Sequence, residues 1–580
     1  MTIFVRIILA ALASSILAAC TGSGGGSGSD GSGGGQSGQP PGSTPPTNNV
    51  TAATVLETQN EASRFLIQAS LGEPMSGVDA LVGVDAASWL SAQFAEPPTR
   101  FLPRLLARRD NGEDLGRTAH SPLFWDALLT ADDVLRLRMV FALSQLLVVS
   151  DRGFNDPLEM AYYIDVLVDN AFGNYRDLLE AVTYSPAMAD YLTYRGNRKG
   201  DPATGRLPDE NYARELLQLF TIGLVELNSD GSSRLDADNQ PIPSYDNDDI
   251  EGLARVFTGF NLKGPTFRSS DPDARYSPIQ LYPDEHSTLE KSFLGQTISA
   301  NTPGDASVSE ALDIIFNHPN VAPFISRQLI QRFTASNPQP AYVARVATAF
   351  ENGRFVAPDG TVFGDSNRGD LQATLAAILL DPSVHETAAT PGLSDGKIRE
   401  PILKFVHWAR AFRLANVQSV QQRRLNDTSA SNDRLGQHPF RSPSVFNFYR
   451  PGYIAPGFES GEAGMTTPEF QIVNASSALG FTDFMTLFVF DRSPDTAGDD
   501  PSFTPNYSDE IPLADDPAAL VDRLDMLLTG GRMLASVRQS IISAVTAVPI
   551  DEDDPDPDRL RRVRIAVLMA LTSPSFGASL

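Results

Sequence analysis

The stretch ADDVLRLRMVFALSQLLVVSD, residues 131–151, predicts a helix that is buried on most of its sides. Apolar residues fill most of its positions instead of following one face, and a helix of that kind lies in the core of a large protein. Two aspartates stand in its first turn, where negative charge interacts favourably with the helix dipole. We therefore expect a core helix here.

The same helical spacing of apolar residues recurs along the chain. Further helices are predicted at residues 61–72, 86–94, 156–174, 249–260, 311–316, 319–334, 341–350, 371–380, 397–414, 518–528, 534–546 and 560–571. Strand signals are few. Residues 224–245 contain the turn dipeptide Asp230-Gly231 and predict a hairpin, and residues 263–298 are irregular with a short hairpin. The predicted fold is mainly α, a multi-helix bundle or stacked helical units with one or two small β-hairpin insertions.

The length and charge of the chain bound its organisation and its partners. It has 580 residues, which is too many for one hydrophobic core. We expect two or three subdomains, with breaks near residues 225–300 and 415–440. Its 71 acidic residues outnumber 45 basic ones, for a net charge of −26. A non-specific nucleic-acid binder needs a cationic surface to displace counterions, so no nucleic-acid partner is expected.

Residues 1–20 predict a lipoprotein signal peptide. Arg6 precedes an apolar run from Ile7 to Ala19 that is too short for a stable membrane-spanning helix. The run ends in LAAC, and Cys20 is the only cysteine of the chain. A plain secretory signal with an incidental cysteine is the alternative. We expect export and a membrane anchor through lipid on Cys20. Because Thr21 and not aspartate follows, we expect the outer membrane of a Gram-negative bacterium.

A linker separates this signal from the body of the protein. Residues 21–54 are rich in Gly and Ser and then in Pro, which predicts a flexible tether with a stiffer end. A random coil of this length spans about 30 Å. The helical body is expected at residues 55–580.

The stretch RLPDENYARELLQLFTIGL, residues 206–224, is the densest candidate for a site. On a helical wheel its residues fall on an apolar face and a polar face, with Tyr212, Leu216, Leu219 and Phe220 on the first and Asn211, Arg214, Glu215 and Gln218 on the second. A well-capped surface helix would show this pattern. If other segments cover the polar face, the guanidinium of Arg214 could bind a carboxylate, phosphate or sulfate through two parallel hydrogen bonds. Glu215 would then be either the partner of Arg214 or a general base.

Other polar residues could complete such a site. The loop GNRKGDPATGR contributes Asn197 and Arg198, and two histidines stand in YPDEHST and FNHPNV. The catalytic candidates are Glu215, His286 and His318, and the ligand-binding candidates are Asn197, Arg198, Asn211, Arg214 and Arg327. Each also has an ordinary structural role open to it, as a solvated loop residue, a helix cap or a packing group.

Several other chemistries have no support in the sequence. Cys20 is assigned to lipid, so no cysteine is left as a nucleophile. There is no Gly-x-Ser-x-Gly elbow, no P-loop and no His-Glu-x-x-His helix. None of the six histidines pairs at the spacing of metal ligands. The sequence therefore predicts no metal site and assigns no cofactor.

Seven separated segments resemble one bacterial family. They are ASRFLIQASLG, NAFGNYRDLLEAVTYSPAMADYL, residues 196–224, DIEGLARVFTGF, HPNVAPFISRQLIQRF, GKIREPILKFVHWARAF and RSPSVFNFYRPGY. In order and character they resemble the family called domain of unknown function 1800, from about residue 57 onward. Phe260 is a departure, since members often have Trp there. Members are often encoded beside an exported protein that resembles the alkaline phosphatase/sulfatase superfamily, so the resemblance implies an exported partner and no particular reaction.

Two functions remain open. The first is a helical scaffold or assembly factor that is anchored in the envelope and holds the exported sulfatase/phosphatase-like partner. The second is a hydrolase that acts on an anionic or carbohydrate envelope substrate, with Glu215, His286 or His318 and Arg214 in a cleft. Convergence of these side chains around an open pocket would favour the hydrolase.

Overall fold

The helix expected within residues 131–151 runs from Val134 to Ser144 in the computed structural model, and all 11 of its residues are buried. Asp133 precedes the helix without capping it. Its carboxylate instead accepts hydrogen bonds from the backbone N and the Oγ1 of Thr99, at 2.8 and 2.7 Å. The prediction of a core helix is confirmed, and the aspartate beside it ties the helix to a neighbouring segment.

The structure describes residues 54–385, 396–414, 425, 427–490 and 505–579. These residues belong to one unit that begins at Asn48. The predicted signal peptide, its Cys20 and nearly all of the tether lie outside the described residues. Within the described ranges, no helix is long and apolar enough to cross a membrane.

The first part of the body consists of helices. They are α1 (Gln59–Ala69), α2 (Met75–Leu81), α3 (Ala86–Ala95), α4 (Leu102–Asp110), α5 (His120–Thr130), α6 (Val134–Ser144), α7 (Pro157–Asn170), α8 (Tyr175–Thr183) and α9 (Pro186–Tyr191). Side-chain caps fix several of their starts. Thr58 and Glu61 form a capping box on α1, and the side chains of Asp156 and Asn174 cap α7 and α8.

The middle of the body mixes helices with short strands. Its helices are α10 (Asn211–Glu215), a π-helix (Leu216–Thr221), α11 (Asn247–Ala254), α12 (Gly304–Phe316), α13 (Val321–Phe333), α14 (Pro340–Asn352), α15 (Leu371–Leu379) and α16 (Pro382–His385), with 3₁₀ turns at Ala274–Tyr276 and Pro283–Glu285. Its strands are β1 (Phe260–Asn261), β2 (Gln280–Leu281), β3 (Lys291–Phe293), β4 (Gln296–Ile298), β5 (Phe355–Val356) and β6 (Val362–Phe363).

The last part is again helical. It contains β7 (Lys397–Ile398), α17 (Pro401–Ala411), α18 (Glu459–Glu462), α19 (Ala475–Val489), α20 (Pro517–Thr529), α21 (Ala535–Thr546), α22 (Pro555–Leu571), α23 (Pro574–Gly577) and β8 (Ala578–Ser579), with 3₁₀ turns at Pro468–Gln471 and Ile511–Asp515. The fold is mainly α, as predicted.

The strands of the described residues form small antiparallel pairs, namely β1 with β2, β3 with β4, β5 with β6 and β7 with β8. The region around Asp230-Gly231 adds single bridges, such as Val225 with Pro243 and Leu235 with Pro241. The pair β7–β8 differs from the hairpins, because it joins Lys397 to Ser579, far apart in the sequence. These pairs fasten loops to the helical body and form no extended sheet.

Two glycines allow backbone segments to approach closely. A Cβ on Gly252, in α11, would lie 1.8 Å from the carbonyl O of Ser292, in β3. A Cβ on Gly72 would lie 2.6 Å from Cα of His407, in α17, and Gly72 also has a φ of +104°. A larger residue at either position would push two packed elements apart.

Buried apolar side chains from Leu56 to Phe576 form one continuous cluster, and a charged network lies inside it. Nζ of Lys397 donates to Oε1 of Glu469 at 2.5 Å and to the carbonyl O of Gln331 at 2.9 Å. Both charged side chains are 0% exposed. Glu400 lies 3.8 Å from Lys397, and its Oε2 accepts a hydrogen bond from Nε2 of Gln145. Charges at this depth need such partners, because their desolvation is costly.

Candidate functional site

The helix of the 206–224 stretch is short and changes type in its middle. Asp209 lies before it, and its Oδ1 accepts a hydrogen bond from the backbone N of Asn211 at 2.9 Å. After α10 the chain continues as a π-helix from Leu216 to Thr221. π-Helical turns are rare and often occur at functional sites. Glu215 stands at the junction between the two helix types.

The apolar face of this helix packs into the core. Tyr212 is buried, and its Oη lies 2.7 Å from Oγ1 of Thr183. Its ring packs edge-on against Phe257, with 4.7 Å between the ring centroids. Phe260 packs edge-on against Tyr184, with 5.3 Å between the ring centroids. This face is therefore the structural side of the helix, as its pattern predicted.

Glu215 is a buried carboxyl group with an incomplete set of partners. Its side chain is almost covered, and among the described residues its Oε2 has no hydrogen-bond partner. Burial raises the pKa of Glu215, and the nearby charge of Arg214 opposes that rise. Burial also raises the pKa of Tyr191 and of Tyr245, and the charge of Glu215 adds to both effects. Glu215 thus interacts electrostatically with both tyrosines and is more readily protonated than an exposed glutamate.

Arg214 lies at the surface instead. Its guanidinium is 41% exposed, and its Nη2 donates to Oε2 of Glu210 at 3.2 Å. The two residues form an (i, i+4) pair, and such exposed pairs contribute about 0.2–0.5 kcal/mol. Arg214 and Glu215 are neighbours in sequence, but the fold places one at the surface and the other beneath it.

The candidates of the 196–206 loop fasten this loop to its surroundings. Oδ1 of the buried Asn197 accepts from the backbone N of Asp209 at 2.9 Å, and its Nδ2 donates to the carbonyl O of Phe257 at 3.1 Å. Arg198 donates from Nε and Nη2 to the two oxygens of Glu285, at 2.6 and 2.9 Å. Asn211, which follows this loop at the start of α10, donates from Nδ2 to Oγ1 of Thr193 at a long 3.4 Å.

The two histidine candidates have separate environments. Nδ1 of His286 lies 2.9 Å from the carbonyl O of Thr258, so the neutral ring donates there, and its buried Nε2 has no hydrogen-bond partner among the described residues. Nδ1 of His318 accepts from the backbone N of Asn320 at 3.1 Å. Burial lowers the pKa of both histidines. Both rings are therefore neutral near pH 7, and each is held by backbone near its own position.

The structure brings some of the candidates together and keeps others apart. Asn197 and Asn211 both contact Asp209, and Arg198 pairs with the residue that precedes His286. Among the described residues, no hydrogen bond or ion pair joins Glu215, His286 and His318 to one another. Arg327 lies elsewhere, with its Nη1 3.5 Å from the carbonyl O of Gly231. Within the described ranges, no three His, Cys, Asp or Glu side chains are placed to share a metal ion.

An open cleft of about 320 Å³ lies beside the helix, between the 200–208 loop, α11 and the segment before β3. Its lining includes Leu207 and Leu289, which are 77% and 61% exposed. Five charged residues also line the cleft, namely Asp201, Arg206, Glu210, Glu251 and Arg255. Glu215, His286 and His318 are not among its lining residues. Sequence reasoning missed both leucines, although Leu207 is an apolar residue between Arg206 and Pro208 in an otherwise polar loop.

Comparisons with known proteins identify a family for this chain and assign no reaction to it. The family model described as "Protein of unknown function (DUF1800)" matches residues 64–578, which is most of the chain. No curated protein and no solved structure shows a significant match. The family expected from the seven sequence segments is thus confirmed by a match over nearly the whole helical body. The chain belongs to the DUF1800 family of proteins of unknown function.

Proposed function

We propose that this protein is an envelope-anchored lipoprotein whose helical body is a scaffold or assembly factor for an exported protein of the sulfatase/phosphatase type. The observation that supports the proposal is the cleft beside the 206–224 helix, with two strongly exposed leucines at its walls. An exposed leucine forgoes the stabilisation that burial of its apolar surface provides, about 25 cal/mol per Å². A partner that covers both leucines recovers this free energy on binding.

The cleft also indicates the chemistry of the segment that it would bind. Arg206 and Arg255 supply positive charge, and Asp201, Glu210 and Glu251 supply negative charge, around apolar lining that includes Ala254. A binding site with an apolar centre and a charged rim of both signs suits a polypeptide segment better than a polyanion. We assign to this cleft a loop of the exported partner that carries an apolar side chain between charged ones.

The N-terminal segments fit this role. The Gly/Ser-rich tether of residues 21–54 would let a body anchored through Cys20 move about 30 Å from the membrane. A binding site on a flexible tether is held near the membrane at a high local concentration. A partner exported through the same envelope would therefore meet the cleft soon after it appears.

The test is affinity capture of the intact lipoprotein from envelopes, followed by binding of the purified sulfatase/phosphatase-like protein. The variant Leu207→Ser/Leu289→Ser should weaken this binding at least about tenfold, because apolar anchors dominate interface energies. Leu479→Ser is the matched control, since Leu479 is also strongly exposed and does not line the cleft. Unchanged binding by the double variant would refute the cleft as the docking site.

A hydrolase is the second candidate, and one specific observation favours it. Glu215 combines burial, a raised pKa and an Oε2 without a hydrogen-bond partner among the described residues, at the start of a π-helix. A carboxyl group whose pKa is raised toward neutrality is suited to general acid catalysis. If Glu215 acts in this way, Glu215→Gln should abolish function in vivo without lowering the melting temperature. A loss of function that follows a loss of stability would support a structural role instead.

A further inference from the structure

Three buried cations line one small cavity in the interior of the protein. The cavity has a volume of about 10 Å³ and lies between α1, α6, α13, β7 and α17. The cations are Arg138, Lys397 and Arg399, and each is less than one-tenth exposed. A second cavity of about 10 Å³ shares Arg399 with the first and has Arg64 in its wall. Several positively charged side chains are thus concentrated around these cavities, and none of them lines the cleft beside the 206–224 helix.

The partners of these cations leave two of them without a carboxylate. Lys397 is paired with Glu469 at 2.5 Å. Arg138 donates from Nη2 to the carbonyl O of Arg332 at 2.8 Å, and among the described residues its buried Nε has no partner. Arg399 donates from Nη2 to Nδ1 of His407 at 2.6 Å, and its guanidinium lies over the ring of Phe576. Within the described ranges, neither Arg138 nor Arg399 forms an ion pair with Asp or Glu.

The charges around the cavity are also out of balance. Arg332 is a further buried cation, and the acidic groups of this network in the described residues are Glu400 and Glu469. Burial, and then repulsion from Arg138, lowers the pKa of Arg399 to about 9. Burial lowers the pKa of Arg138 to about 10. Both guanidinium groups therefore keep their protons near pH 7, and within the described ranges this network holds four basic groups against two acidic ones.

We propose that this cavity binds a small monatomic anion of the halide class, between Arg138 and Arg399. An uncompensated charge in the interior costs several kcal/mol, and a bound anion with charge-assisted hydrogen bonds offsets this cost. The cavity volume is about that needed for one water molecule, which excludes phosphate or sulfate and restricts the anion to a single atom.

The site would join distant parts of the chain. Its walls come from α1 near the start of the body, from α6 in the core and from Ser579 in β8. An anion held here would stabilise the packing of these elements against α17. The ligand would therefore act on the stability of the body and need not take part in any reaction.

The experiment measures thermal unfolding of the intact lipoprotein in detergent at pH 7, in sodium chloride, sodium bromide or sodium gluconate of equal ionic strength. Gluconate is too large for the cavity. Chloride and bromide should raise Tm by roughly 2–4 °C over gluconate, with saturation as their concentration increases. Arg399→Gln should abolish the difference between the anions. Arg559→Gln, which removes a partly exposed ion pair with Asp515, should keep it.

Crystals grown in bromide give a second measurement that does not depend on the folding of a variant. An anomalous peak between the guanidinium groups of Arg138 and Arg399 is the expected result. Equal Tm values in all three salts, together with no anomalous peak in this cavity, would overturn the proposal. Bromide found only at the protein surface would overturn it as well.

Discussion

The buried pair of Lys397 and Glu469 gives the sharpest test of how this fold is stabilised. Substitution of Lys397 by Met keeps the length of the side chain and removes its charge. The substitution leaves the Glu469 carboxylate at 0% exposure, with Oγ of Ser336 at 2.8 Å as its remaining donor. It also removes the donor to the carbonyl O of Gln331. The buried carboxylate of Glu469 thereby loses its direct ion-pair partner.

The expected loss of stability follows from that environment. Removing one partner of a buried pair costs about 3–5 kcal/mol, because the desolvated charge that remains is no longer compensated. The carbonyl O of Gln331 is part of the same loss and is not added to it. We therefore expect Lys397→Met to lower the free energy of unfolding by about 3–5 kcal/mol.

Urea unfolding followed by circular dichroism at pH 7 measures this loss, with the slope of the transition compared between variants. The set comprises wild type, Lys397→Met, Glu469→Gln and the double variant. The double variant should be less destabilised than the sum of the single variants, because it leaves no unpaired charge. A cost of Lys397→Met below about 1 kcal/mol, or strict additivity of the two single variants, would refute the reasoning.

Three further predictions concern other parts of the chain. Gly252→Ala should lower stability by about 1–3 kcal/mol, since its Cβ would lie 1.8 Å from the carbonyl O of Ser292. Gly116→Ala is the control, because no atom lies within 4 Å of a Cβ at this position, and it should leave the melting temperature unchanged. Equal melting temperatures for the Gly252→Ala and Gly116→Ala variants would contradict the prediction. Burial lowers the pKa of Lys404 from 10.5 to about 7. Between these pH values the unfolded chain binds more protons than the folded protein, so stability rises with pH across that window. Lys404→Met should raise stability at pH 7 and reduce this pH dependence, as measured by urea unfolding at pH 7, 8 and 9. If the free energy of unfolding of the variant changes with pH as much as that of wild type, the charge of Lys404 is not the cause. Cys20→Ser should abolish labelling with radioactive palmitate, and labelling that persists would exclude Cys20 as the lipid attachment site.

The helical core could be predicted from sequence because periodicity is a local property. The 131–151 stretch is apolar at most of its positions, and the helix it forms is buried on all sides. The 206–224 stretch was harder, because the helical wheel assumes a constant turn. A π-helix begins at Leu216, and no local residue pattern predicts this change of helix type. The wheel places Arg214 and Glu215 together, whereas the fold buries only Glu215.

The environments of the candidate residues depend on distant segments. The partner of Arg198 is Glu285, and Nδ1 of His286 faces the carbonyl of Thr258, which the sequence near each residue does not indicate. The buried charges of the 397–407 segment show the same limit. A run such as GKIREPILKFVH looks like an ordinary amphipathic helix. Lys397 is nevertheless buried, because the carboxylate of Glu469 and the carbonyl O of Gln331 accept hydrogen bonds from it. Such contacts are set by tertiary packing.

The pairing of β7 with β8 has a consequence for how the protein matures. Ser579 lies 182 positions after Lys397, and its Oγ donates to the carbonyl O of that residue at 3.4 Å. During synthesis, the segment around Lys397 emerges long before the strand that pairs with it. Contacts at such long range form late, since the intervening chain must first be ordered. The enclosure of the cationic interior therefore marks the completion of folding, and a chain interrupted before residue 578 would leave that interior open to proteases.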